Sequence, residues 1–127
     1  MEYLTRRGVM YPHLNAAGRL FGGQALAWID EEAAIFAACQ MGSSNLVTKK
    51  MSEVEFKSPG NLGDILMVGT KIVRSGRTSM TVACEIVNKT TSQVIVQVDE
   101  IVFVSLNEDG VPTPHQAWLD ANPDQAR

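Results

Sequence analysis

Hydrophobic and polar positions change their period once along this chain. From Gln24 to Met41 the residues are rich in Ala and Leu, with no internal Gly or Pro, a composition that favours a helix. Gly22-Gly23 precedes this stretch and Gly42 follows it, at the position where a left-handed residue closes a helix. After Gly42 the period drops from about 3.6 to 2. Leu46 to Lys57 reads as extended, with Val54 and Phe56 alternating against Glu53, Glu55 and Lys57, and Ser58-Pro59-Gly60-Asn61 ends it because Pro has no N–H for a ladder. Asp64 to Arg74 predicts a second strand with Leu66, Val68 and Ile72 on one face. Thr78 to Lys89 predicts a third, with Met80, Val82, Cys84 and Ile86 aligned. Gln93 to Leu106 predicts a fourth, with Val94, Val96, Val98, Val102 and Val104 sharing a side. The connections Ser75-Gly76-Arg77 and Thr90-Thr91-Ser92 are of hairpin length, so these strands form an antiparallel meander. A short strand is expected near Leu4 to Met10, and the proline-bearing tail from Asn107 is expected on the surface.

One helix and one antiparallel sheet bury both apolar sides only by packing face to face. The expected architecture is therefore α+β: one long central helix wrapped by a five- to six-stranded antiparallel sheet, the hot-dog arrangement. Its exposed sheet edges invite pairing across a two-fold axis. The 127 residues suit one domain, placed at 1–114, with 115–127 as a C-terminal tail that is either a short helix or frayed.

Charge and cysteine usage narrow the function classes. A net charge of −3 and a pI near 5.3 argue against nucleic acid or an anionic membrane as partner. No apolar run approaches the roughly 18 residues of a membrane span. Met1 to Arg7 has no apolar stretch after its basic pair, so a signal peptide is not expected. Cys39 and Cys84 are not in C-x-x-C spacing and are expected as reduced, buried small hydrophobes of a cytoplasmic protein. Too few ligands are present for a zinc or iron–sulfur reading, and no serine sits in a G-x-S-x-G elbow.

Four places carry candidate chemistry. On a helical wheel Gln24, Glu31 and Glu32 lie on a side read as solvated. Asp30 lies nearly opposite, among Leu26, Ala33, Ala34, Ala37 and Met41. A carboxylate there is costly unless paired, hydrogen-bonded or protonated, which makes it a general-base candidate or an interface ion-pair partner. Gly22-Gly23 at the helix start offers N–H groups to an oxyanion or phosphate, although such a pair is also an ordinary tight turn. Asn15 in the preceding loop offers a donor and an acceptor together; nearby His13 lacks a recognisable partner. Finally, Arg74-Ser75-Gly76-Arg77-Thr78-Ser79 suits phosphate binding or is a solvated hairpin tip.

The run from Asn15 to Ala34, Asn-Ala-Ala-Gly-Arg-Leu-Phe-Gly-Gly-Gln-Ala-Leu-Ala-Trp-Ile-Asp-Glu-Glu-Ala-Ala, resembles the N-x-x-G-x-x-[FH]-G-G-x-x-x-x-x-[ILM]-D-E-x-[AG] signature of hot-dog acyl-CoA thioesterases, in the YciA-like and cytosolic acyl-CoA hydrolase group. Val47-Thr48, Phe56-Lys57-Ser58-Pro59, Gly63-Asp64 and the Arg74 to Ser79 hairpin match further, so the resemblance covers about Arg7 to Pro114. It implies that Asp30 is the catalytic aspartate and that Asn15 completes the site from a partner subunit. The N–H of Gly22 or Gly23 would receive the thioester oxygen. Arg74, Gly76, Arg77, Thr78 and Ser79 would meet the phosphates of coenzyme A, with Arg77 and Ser79 foremost. The implied activity is hydrolysis of an acyl-CoA to free acid and coenzyme A, with no cofactor beyond the substrate. The implied assembly is a homodimer as minimal unit, built into a tetramer or hexamer. A non-catalytic acyl-CoA-binding protein and a hot-dog hydratase or dehydratase are the alternatives. The latter class uses an acid–histidine pair, whereas His13 and His115 are the only histidines here.

Overall fold

A computed structural model describes residues 1–125, so the last two residues of the expected tail lie outside the described residues. The chain runs β1 (Glu2–Gly8), α1 (Gly22–Met41), β2 (Leu46–Met51), β3 (Val54–Phe56), β4 (Ile65–Ser75), β5 (Ser79–Asn88), β6 (Val94–Ser105) and α2 (Gln116–Ala121). One antiparallel sheet is formed in the order β1-β4-β5-β6-β2, with β3 also pairing β6. The helix starts two residues earlier than the pattern suggests: Phe21 is the N-cap, and Gly22-Gly23 form the first turn rather than preceding it. Gly42 ends it at φ 66°, as expected.

Ala25, Ile29, Ala33, Ala37 and Met41 form the buried stripe of α1. Three alanines in that stripe let the helix axis approach the sheet closely. Met80, Val82, Cys84 and Ile86 of β5 answer it from below, all at most 2% exposed. On β4 the inward face is Leu66, Val68 and Thr70. Ile72 is exposed, contrary to the alternation read from sequence, because β1 pairs β4 only as far as Thr70 and leaves the strand uncovered beyond it.

A second departure has a larger cause. In β6 the inward residues are Val96, Val98, Ile101 and Phe103, each fully buried, rather than Val102 and Val104. The register slips by one between the pairs Cys84–Val98 and Val82–Ile101, so Asp99 and Glu100 form a bulge that flips the side-chain parity. The neighbouring edge breaks at the same level. The expected single strand Leu46–Lys57 is two, interrupted at Ser52-Glu53, where the Ser52 N–H donates to Glu100 O at 2.8 Å and the Glu100 N–H to Ser52 Oγ at 3.0 Å.

The tail does not fray over its described length. His115 caps α2, and α2 lies against the end of α1: a Cβ on Gly42 would stand 3.0 Å from the Gln116 Cβ. Cys84 is buried as expected, but Cys39 is exposed. Burial, with Glu32 and Glu85 nearby, pushes the Cys84 thiol up to about 12. Among the described residues no helix is long and apolar enough to cross a membrane.

Ile101→Ala is expected to destabilise the fold by about 2–5 kcal/mol, and Val102→Ala by well under half as much, read from denaturant midpoints; equal losses would contradict the bulge. With a thiol reagent at pH 8, Cys39 is expected to label in the native protein and Cys84 only after unfolding.

Candidate active site

The loop ahead of α1 is closed by a bridge between Leu14 and Leu20. Inside it the Asn15 Oδ1 accepts the N–H groups of Ala17 at 3.0 Å and Arg19 at 3.1 Å. The carboxamide oxygen is thus spent on loop shape, and the amide nitrogen is the donor the side chain offers outward. The Phe21 N–H donates to His13 O and the Leu20 N–H to Gly60 O, both at 2.8 Å. These bonds fix the chain direction into α1. Phe21 caps the helix without a side-chain bond, so the N–H groups of Gly22 and Gly23 are the ones that a helix start leaves without intrahelical acceptors. They carry its partial positive charge.

A cleft of about 350 Å³ lies there, lined among others by Asn15, Gly22, Ala25, Phe56, Ser58 and Gly60. Phe56, expected to alternate inward, is instead exposed and forms a wall of this cleft. The backbones of Gly60 and Leu20 are so close that a Cβ on Gly60 would lie 2.9 Å from the Leu20 Cβ.

Asp30 is not part of this cleft. It sits eight residues along α1 from Gly22, which at 1.5 Å per residue is about 12 Å. It is half-buried, at one edge of the helix's buried arc rather than at the centre of an apolar face. Its Oδ1 accepts the Thr48 hydroxyl of β2 at 2.8 Å. Thr48 is a partner that sequence reasoning held only as part of a supporting match, because a threonine in an edge strand is unremarkable by itself.

The opposite edge of α1 holds Glu32. Its place on the helical wheel predicts solvation, yet its side chain is only 14% exposed and pairs with Arg7 at 2.8 Å, and it accepts the Thr5 hydroxyl at 2.8 Å. Glu31 remains exposed and meets Arg7 more loosely at 3.3 Å. Trp28 is buried beneath Arg7, 5.4 Å from its ring centre, and His13, edge-on at 4.9 Å. The His13 Nδ1 accepts the Met10 N–H at 3.0 Å, which gives this histidine a structural task.

At the β4–β5 turn the Gly76 N–H donates to Ser79 O at 2.9 Å, and Thr78 O accepts the Ser105 N–H at 2.8 Å. Arg74 pairs with Glu100 at 2.9 Å. Arg77 lies over Trp118 of α2, 6.0 Å from its ring centre. The structure therefore unites Asn15 with Gly22 and holds the hairpin residues together. It does not bring Asp30 into the cleft of its own chain. Among the described residues no group of three or more His, Cys, Asp or Glu is placed to hold a metal ion.

This geometry can be set beside known proteins. The family model of the thioesterase superfamily matches residues 17–95. The chain belongs to the thioesterase superfamily. The acyl-CoA thioester hydrolase YciA of Salmonella typhimurium is 29% identical over 119 residues, 89% of each chain. Mouse acetyl-coenzyme A thioesterase is 29% identical over 68% of this chain, but this chain spans only 15% of its length. Among solved structures, a hexameric hot-dog thioesterase of Campylobacter jejuni is 29% identical, with a TM-score of 0.77 and 96% of both chains covered. The acyl-CoA hydrolase of Staphylococcus aureus, solved with butyryl coenzyme A and coenzyme A, is 27% identical with a TM-score of 0.78, covering 96% of this chain and 79% of that one. Alanine variants of the S. aureus protein have been solved at a threonine, an asparagine and an aspartate. The hot-dog fold expected from sequence is thus the fold of this chain.

Gly60→Ala is expected to push Leu20 and the 14–20 loop away from the cleft, since a backbone-anchored Cβ cannot rotate aside. A loss of about 1–3 kcal/mol in a denaturant titration would show it; wild-type stability would refute the close approach.

Proposed function

We propose that the chain is an acyl-CoA thioesterase whose active site is assembled from two copies. One observation carries the reading: Asn15 and the Gly22 N–H share a cleft, while Asp30 stands about two helical turns away on the same helix. Each copy therefore offers an orienting and oxyanion-binding half at the helix start and an acidic half further along. The Asp30 of one copy is read against the Asn15 and Gly22 or Gly23 of the other. Asn15 and Asp30 are fifteen positions apart, as are the asparagine and aspartate replaced in the S. aureus hydrolase, and that similarity supports the assignment.

In the proposed reaction Asp30 takes a proton from a water held by the Asn15 amide. The water oxygen adds to the thioester carbonyl carbon. The carbonyl oxygen becomes an oxyanion facing the helix-start N–H groups, whose dipole is fixed before charge develops. The intermediate collapses by breaking the C–S bond, and the departing thiolate recovers the proton from Asp30. Free acid and coenzyme A leave. Direct attack by the Asp30 carboxylate through a mixed anhydride is the variant route. The Arg74–Ser79 hairpin is read as the element that meets the coenzyme A phosphates. Hexameric assemblies of the Yersinia pestis and C. jejuni neighbours support an oligomer here, built from the dimer that the shared site needs.

Asp30→Ala and Asn15→Ala are each expected to lower kcat by about 10²–10⁴ in a thiol-release assay over a panel of acyl-CoAs. Mixed assemblies of the two inactive variants should regain about a quarter of wild-type activity, because half of randomly paired dimers carry one intact site of two. No recovery in verified mixed dimers would refute the shared site. Binding of acyl-CoA without hydrolysis by the wild type would make the protein a sensor instead.

A further inference from the structure

The segment beyond the family match, which ends at residue 95, returns to the β4–β5 hairpin and grips it. Thr113 donates its N–H to Ser105 O at 2.9 Å, and His115 donates its N–H to Arg77 O at 3.1 Å. His115 is 1% exposed. Its Nδ1 accepts the Trp118 N–H at 3.2 Å, so that nitrogen carries no proton. The ring proton then lies on Nε2, which stands 2.7 Å from Gly76 O, a group that only accepts. The Ser75 hydroxyl lies 3.5 Å from the same nitrogen. One ring thus ties the cap of α2 to the turn of the hairpin, and Trp118, one helical turn later, lies against the Arg77 guanidinium.

We propose that His115 is a positioning residue for coenzyme A recognition: its Nε2–H holds the Gly76 carbonyl so that the hairpin presents Arg77 to the nucleotide phosphates. This deepens the thioesterase reading and rests on it. Gly76 lacks a side chain to lock the turn, and its N–H already closes onto Ser79. The imidazole therefore supplies a restraint on the other face of the same peptide-bearing residue. The Trp118 ring limits where the Arg77 side chain goes. Together they fix a long cationic side chain before the ligand arrives, which reduces the ordering cost of binding.

The two roles of the ring separate by substitution. Asn at 115 keeps an acceptor near the Nδ1 position and so keeps the cap, but has no donor that reaches Gly76. Gln at 115 places an amide nitrogen near the Nε2 position and keeps that donor while losing the cap. With the full chain and a panel of saturated acyl-CoAs, His115→Asn is expected to raise KM about three- to tenfold with kcat unchanged. His115→Gln should keep KM within about twofold of wild type while lowering Tm. Calorimetric affinity for coenzyme A alone should follow the KM pattern. Thioesters of N-acetylcysteamine, which lack the nucleotide phosphates, should be turned over equally by all three proteins.

Unchanged KM and coenzyme A affinity in a folded His115→Asn variant would overturn the proposal, as would equal loss on both thioester types. If the wild type binds coenzyme A but hydrolyses nothing, the thioesterase reading falls while the affinity series still decides the role of His115. A wild type that neither binds nor hydrolyses any coenzyme A species overturns both.

Discussion

A flat sheet touches a helix along one line, and this chain has one helix with which to cover five strands' width of inner face. The sheet must therefore bend across its strands. Several breaks in the register gather at one level. Val73 is bulged out of the β4–β5 register between Ile72 and Arg74. The β5–β6 register slips at Asp99 and Glu100, and the edge parts between β2 and β3. Across that level the Ser52 N–H donates to Glu100 O and the Glu100 N–H donates to Ser52 Oγ, so both of these N–H groups are satisfied. Above and below it, different sets of side chains face α1, and Ile101 and Phe103 rather than Val102 complete the core.

Depth of contact follows from the alanines of α1. With Ala25, Ala33 and Ala37 fully buried, the helix sits low enough that both edges of its buried arc meet flanking strands. Each edge carries a carboxylate, and their surroundings differ in kind. Glu32 is held by Arg7 and the Thr5 hydroxyl, a pairing that neutralises it and ties β1 to the helix. Asp30 has a neutral hydroxyl partner in Thr48, and among the described residues no cation pairs with it within a salt-bridge distance. Under the proposed reading the acid that takes part in the reaction is thus the one without a cation beside it.

The long helix, its Gly42 stop and the β4–β5–β6 meander were legible because each follows from a local period or a local breaker. The Asn-to-Asp run was legible as a motif. The bulge was not: Val94 to Val104 alternates well enough to read as one uninterrupted strand, and only pairing to β5 and β2 shows where the register gives way. Glu32 departs from its expected place for a related reason. A helical wheel assumes one wet side, whereas β1 and the His13 loop cover what it assigns to solvent. The tail was least legible. Its six-residue helix has little intrinsic tendency to persist, and its order comes from His115, whose partners lie about 39 positions earlier.

Charge placement at the hairpin completes the argument. The chain is net acidic, so a polyanion is drawn to it only where cations gather locally. Of the two hairpin arginines, Arg74 is already paired with Glu100, both side chains well exposed. Such surface pairs contribute about 0–1 kcal/mol, so exchanging that carboxylate for a phosphate costs little in stability, yet it leaves Glu100 beside the incoming negative charge. Arg77 has no such penalty, because its neighbour is the neutral Trp118 ring. Under the proposed reading the two arginines are therefore unequal. In it Arg77 supplies the standing attraction, while Arg74 must exchange Glu100 for a phosphate. Under that reading the C-terminal segment, which lies beyond the family match, limits through Trp118 where the Arg77 side chain goes.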